Sequence, residues 1–182
     1  MKKPVAWALA ILFTAVFLVW AGIRIVSYYQ FNFGCGQYLN RAATANSISL
    51  ASTNLDTAIQ YLEDRSLTGG QVSILFKQPK NDIGYWYSNL KSAQAELNNM
   101  SPDATQLEVS NELMKIKESL ISTTSDGESL IAPEGIEIYP HNGVLFWTAL
   151  LSGILALAFW IILLPKLIND GLARRLAKRR MR

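Results

Sequence analysis

The chain has 182 residues, half of them hydrophobic and 17% charged. Soluble domains carry about 25% charged residues, so the balance excludes a disordered chain and points to a membrane protein. One cysteine excludes an internal disulfide framework, and with a single histidine it excludes a zinc site of the usual Cys/His kind.

In chain order, residues 1–4 are a short basic terminus with Lys2 and Lys3, and Val5–Ile23 is an apolar run broken only by Thr14. About 20 such residues cross a hydrocarbon core of about 30 Å as a helix, so a first transmembrane helix is predicted over 5–28. Lys2, Lys3 and the sequence Val19-Trp20-Ala21 also fit a cleavable secretory signal. The length of the run, together with Trp20 and Arg24, favours a retained anchor. Cys35 follows Asn32-Phe33-Gly34, which lacks the apolar residue three before a lipoprotein cysteine. That lone thiol reads as a small buried residue or, in an oxidising compartment, as a bridge between two copies.

The segment 29–141 reads as a helical domain. Ile48, Ala51, Leu55, Ala58 and Leu62 step by three and four, the seam of a helix predicted over about 36–67. Gly34 and Gly36 weaken its junction with the first span, and Leu67-Thr68-Gly69-Gly70 is expected to end it. Gln71–Lys80 is a connector holding Val72, Ile74, Leu75 and Phe76. A second helix, about 82–100, starts at Asn81 or Asp82 and carries Ile83, Trp86, Leu90, Ala93, Leu97 and Met100. Ser101-Pro102-Asp103 predicts the start of a third, about 102–122, with Val109, Leu113, Ile116 and Leu120 as its stripe. Residues 128–143, with two prolines and two glycines, are expected to return extended to the membrane, Ile136 and Ile138 alternating like a short strand.

Val144–Leu164 is a second and slightly longer apolar run, predicting a transmembrane helix over 142–165 and a basic tail over 166–182. Trp7 and Trp20 stand near the ends of the first run, and Trp147 and Trp160 repeat their spacing in the second. Each separation is about 20 Å of helix, which suits indoles at the two membrane interfaces. Ala6, Ala10 and Thr14 recur every four residues, as do Ala149 and Gly153, spacings that pack two spans together or join two copies.

Charge is segregated. Residues 29–141 hold 7 basic and 13 acidic groups, a net of −6, beside +3 before residue 25 and +6 after Leu164. Basic tails stay cytoplasmic while a long acidic segment is translocated. The expected fold class is therefore an all-α membrane protein: two transmembrane helices bracketing an extracytoplasmic antiparallel three-helix bundle, with four-helix-like packing. It would sit in the inner or plasma membrane with both termini cytoplasmic. Lys166, Arg174, Arg175, Lys178 and Arg179 are read as lipid-headgroup contacts, not as a nucleic-acid patch.

No phosphate-binding loop, nucleophile elbow or zinc motif is present, and His141 sits alone between Pro140 and Asn142. An enzyme is not expected, nor a cofactor. Tyr85-Trp86-Tyr87 is the densest aromatic cluster between the spans; Trp86 belongs to the core stripe, and Phe76, Tyr85 and Tyr87 form the candidate contact surface. The layout is similar in topology alone to the sensory half of chemoreceptors and sensor kinases; the short basic tail after Lys166 leaves no room for a relay coiled coil, so readout of anything sensed is expected from another protein. The expected partners are membrane lipids and either another protein or a second copy. The leading expectation is a membrane-anchored accessory or scaffold module. Alternatives are a small-ligand sensing module read out by a separate effector, and a small transport or channel component, which the lack of an ionisable residue at the centre of either span disfavours.

Overall fold

The computed structural model describes residues 3–125 and 127–180, with the side chains of 3, 124, 166, 167 and 169–180 outside that description. The chain is mostly helical (74%). Two of its helices are long and apolar enough to cross a membrane, each with a mean hydropathy of 2.3. Contacts divide the molecule into two units, Met1–Arg24 with Gly143–Arg182, and Ile25–Asn142.

The first unit is made from α1 (Lys3–Phe31) as far as Arg24 and from α6 (Asn142–Arg180) from Gly143 onward. Residues rising along α1 meet residues descending along α6. Trp7 lies edge-to-face on Trp160 at 5.8 Å, Phe13 stacks on Phe159 at 6.0 Å, and Phe17 faces Gly153, where an added Cβ would lie 3.4 Å from the ring. Ala6 and Ala10 are buried with Leu163. The small-residue stripe of α1 therefore packs against the other helix of the same chain. Thr14 completes it: its hydroxyl donates to the Ala10 carbonyl at 2.7 Å and accepts the indole N–H of Trp160 at 3.0 Å. Helix α6 does not stop where the apolar run does. It continues through Pro165 to Arg180.

The second unit begins inside α1. A π-helical turn, Asn32–Gly36, joins α1 directly to α2 (Gln37–Ala43). Here the expected helix over 36–67 is divided. Ser47 is extended at φ −146°, and its hydroxyl accepts the Leu50 N–H at 3.3 Å, capping a new helix, α3 (Ile48–Asp64). Nor do the glycines close α3. Ser66 takes the left-handed conformation at φ 55°, with Ser66 N–H donating to Glu63 O and Leu67 N–H to Leu62 O, the paired bonds of a Schellman end.

Helix α4 (Ile83–Asn98) starts on Asp82, whose carboxylate accepts the Tyr85 N–H at 3.0 Å. Helix α5 (Gln106–Leu120) starts later than expected, because Ser101–Ala104 closes as a turn of its own. Its cap is Thr105, in a reciprocal capping box with Glu108. Two bonds from Thr105, first its backbone N–H and then its hydroxyl, hold the Glu108 carboxyl below the usual carboxylate range.

To the mostly helical chain that was expected, the segment beyond Leu120 adds one short hairpin. Strands β1 (Ile121–Thr124) and β2 (Gly127–Leu130) pair antiparallel, Ile121 opposite Leu130. Ile136–Ile138, expected as a strand, is a 3-10 turn opened by Gly135 at φ 90°. The core joins Cys35 and Leu39 to the α3 residues Leu55, Ala58 and Leu62, the α4 residues Ile83, Trp86 and Leu90, and Ile116, Leu120 and Ile136.

Two predictions follow the packing. In the second unit, Leu55→Asp should destabilise by several kcal/mol, because it charges a fully buried seam. Ser66→Gly should stabilise by about 1 kcal/mol, because only glycine holds φ > 0 without strain. Urea denaturation of the detergent-solubilised chain reads both, and midpoints moving together would contradict them. In the first unit, Thr14→Val orphans the Trp160 N–H and should cost about 1 kcal/mol, while Thr14→Ser should not. Equilibrium unfolding in sodium dodecyl sulfate compares the two.

Candidate functional site

The candidate contact residues lie on or beside α4, and the helix separates them. Trp86 points inward, 6% exposed, and its indole N–H donates to the Ile131 carbonyl at 2.7 Å, across 45 residues of sequence. That bond ties the segment following the hairpin to α4. Tyr85 and Tyr87 flank Trp86 by about 100° each way, so they cannot share one surface.

Tyr87 is half-buried against the core and turned toward α3. Its hydroxyl donates to Glu63 Oε1 at 2.5 Å, and Lys91 Nζ stands 3.7 Å from the same oxygen. It is a tie between α4 and α3, and Glu63 is occupied by it. The bond to the Glu63 carboxylate, then partial burial and the charge, push the Tyr87 phenol up to about 12.

Tyr85 takes the open side, 64% exposed. With Trp86, Pro79, Ile131 and Pro133 it borders a cleft of about 540 Å³ whose rim carries Lys80 and Glu134, 3.8 Å apart. Asp82 also lines the cleft, its carboxylate engaged as the α4 cap. Phe76 is 75% exposed and is not one of the cleft's walls. Of the three candidate residues, then, only Tyr85 reaches the cleft. The residues that sequence reading missed are Ile131, Pro133 and Glu134. No local signal marks them, because the cleft exists only once Trp86 holds the distant segment in place.

Among the described residues, no group of three or more His, Cys, Asp or Glu side chains could hold a metal ion. His141 is exposed. Cys35 is fully buried, so the alternative of a bridge between copies requires the unit to open. In the first unit, Trp7 and Trp160 pack on each other, Trp20 packs on Phe17 at 5.2 Å and borders an apolar hollow with Leu145 and Thr148, and Trp147 is half exposed. Lys166, Arg174, Arg175, Lys178 and Arg179, expected as headgroup contacts, have side chains outside the described residues.

No protein-family model, no curated protein and no solved structure matches the chain.

The Tyr87–Glu63 bond predicts an alkaline dependence. A phenol whose value is raised on folding adds stability that is full below its ordinary value near 10 and is lost as pH rises through about 12. Carbon NMR of ring-labelled tyrosine should show a phenol titrating near 12 that Tyr87→Phe removes and Glu63→Gln brings down toward 10, apart from Tyr61, which burial also raises. A Tyr87 resonance already titrating near 10 in the parent would show that the bond does not persist in solution.

Proposed function

We propose that the chain is a two-span membrane protein whose Ile25–Asn142 unit is an extracytoplasmic helical bundle, and that it works as a non-enzymatic accessory or scaffold module binding another protein. The carrying observation is the bare apolar surface of α1 and α6. Only 6% and 17% of their most apolar windows are buried within the molecule. A core helix of a soluble protein would be covered. Ile11, Leu18, Val19, Leu157 and Ile161 instead stand more than half exposed, which is stable against lipid and unstable against water.

Topology follows from charge. The +3 and +6 ends and the −6 middle favour both termini in the cytoplasm and the second unit across the membrane. The basic tail beyond α6's apolar run suits anionic headgroups.

The cleft beside Tyr85 supports a protein partner. It is open, it carries one exposed aromatic ring and an exposed Lys80–Glu134 pair at its rim, and its base is the buried Trp86. Interfaces favour that pattern of an aromatic centre within a polar rim. A small ligand is the second reading, favoured by a volume within the range of about 300–1,000 Å³ usual for ligand pockets.

Two experiments test this. Protease added to right-side-out vesicles should cut within residues 124–140 and spare a tag placed after Arg182; loss of that tag without permeabilisation would overturn the topology. For the partner, a photo-crosslinking residue at Tyr85 should capture one stoichiometric protein in intact cells, while the same residue at Asn99 should not. Equal capture at both positions, or capture of nothing together with a small molecule released from the purified chain, would overturn the partner reading.

A further inference from the structure

Residues 71–82 form a closed loop with an apolar outer turn. Gln71 and Asp82 pair across its neck, Val72 N–H donates to Asn81 O at 3.1 Å, and Ile83 N–H donates to Gly70 O at 2.9 Å. Val72 is buried and roots the loop in the core. Beyond it the Ser73 hydroxyl donates to the Phe76 carbonyl and shapes the turn. That turn holds out Ile74, Leu75 and Phe76, which are 40%, 62% and 75% exposed. Soluble surfaces carry large apolar side chains singly, whereas three in succession on a hydrogen-bonded neck form a patch that needs cover.

Contacts within the unit show which end bears the loop. Helix α3 has 17 residues and so is about 25 Å long. Its N-terminal part meets the far end of α4, where Ser52 Oγ donates to Asn98 Oδ1 at 2.8 Å. Its C-terminal part meets the place where the chain enters the unit, with the Tyr61 ring 6.2 Å from that of Phe31 and pressed against Gly34. Gly70, at φ 109°, lies against the hydroxyl end of Tyr139, just before α6 begins at Asn142. The loop therefore springs from the end of the unit at which the chain arrives from one apolar helix and leaves into the other.

Charge fits the same surface. Lys77 and Lys80 follow the apolar turn within a segment of net charge −6. Lys80 is 3.8 Å from Glu134, so Lys77 is the cation next to the tip. An apolar tip with an adjacent cation matches a bilayer interface, apolar below and anionic at the headgroups.

We propose that the Ile74–Phe76 turn dips into the surface of the bilayer that α1 and α6 cross, with Lys77 at the phosphates. This rests on the membrane reading above, and the test separates the two. Phe76→Cys, Asn99→Cys and Leu12→Cys variants of the full chain are labelled with an environment-sensitive fluorophore; the native Cys35 is fully buried and does not compete. Each is reconstituted into phosphatidylcholine–phosphatidylglycerol vesicles and quenched either by nitroxide-bearing lipid or by aqueous iodide. At position 76, lipid quenching should be severalfold stronger than at 99, and iodide quenching severalfold weaker. At position 12, lipid quenching should be strong. Iodide quenching equal at 76 and 99 would overturn the docking of the loop. Protection from both quenchers at 76 would overturn it in favour of a contact with a second copy of the chain. In both of those cases quenching at 12 preserves the membrane reading, whereas no lipid quenching at 12 removes that reading and the loop inference with it.

Discussion

The Tyr61 ring lies on the backbone of Gly34, in a space that any Cβ at that position would occupy. This close approach lets α3 pack directly beside the π-helical turn. Phe31 meets the other side of the same ring edge-to-face. The Arg65 guanidinium lies 5.0 Å from its centroid, next to the left-handed Ser66 that turns the chain away. A π-helical turn admits one extra residue per turn and shifts the side chains that follow it around the axis. Here it carries Cys35 and Gly36 into the core and lets Leu39 and Ala42 follow. An alanine at Gly34 would have to displace a ring held by neighbours on two sides.

The two units use different physics for the same task. In the second, apolar stripes leave water, and the polar groups mark ends: Ser47, Asp82 and Thr105 cap helices, and Trp86 commits its indole N–H to a backbone carbonyl. In the first, hydrocarbon surroundings would reward no such exclusion, so small residues and one side-chain hydrogen bond do the joining. Ala6, Ala10 and Gly153 let α1 and α6 approach, and Thr14 satisfies Trp160 where no water would.

Period was the legible part of the sequence. Ala51, Leu55, Ala58 and Leu62 on α3, and Ile83, Trp86, Leu90, Ala93 and Leu97 on α4, are all buried as their spacing required. Punctuation was harder to read. Thr44–Ser47 breaks a helix with residues that a helix interior tolerates, so the cap at Ser47 carries no signal until its bond to Leu50 is known. Ser101-Pro102-Asp103 and Thr105-x-x-Glu108 compete for the same helix start, and the reciprocal box prevails because it satisfies two donors. The hairpin was written in β-branched Ile121, Thr123 and Thr124 and in Gly127, which pairs with Thr124 at φ 121°, a conformation that favours glycine. Of the candidate site, the aromatic run was visible and its partition was not. Which tyrosine meets Glu63 and which borders the cleft depends on where α3 and the segment after β2 lie, and neither position is local to residues 85–87.

Cys35 is sealed among Leu39, α3 and their neighbours, with no measurable exposure. A thiol so placed meets a reagent only when α2 lifts from α3. Its alkylation rate in the intact chain therefore counts openings of this part of the molecule, and the dependence of that rate on denaturant separates local breathing from global unfolding. The protein thus carries its own gauge of stability at the junction where an apolar helix becomes a packed one, with no label to perturb it.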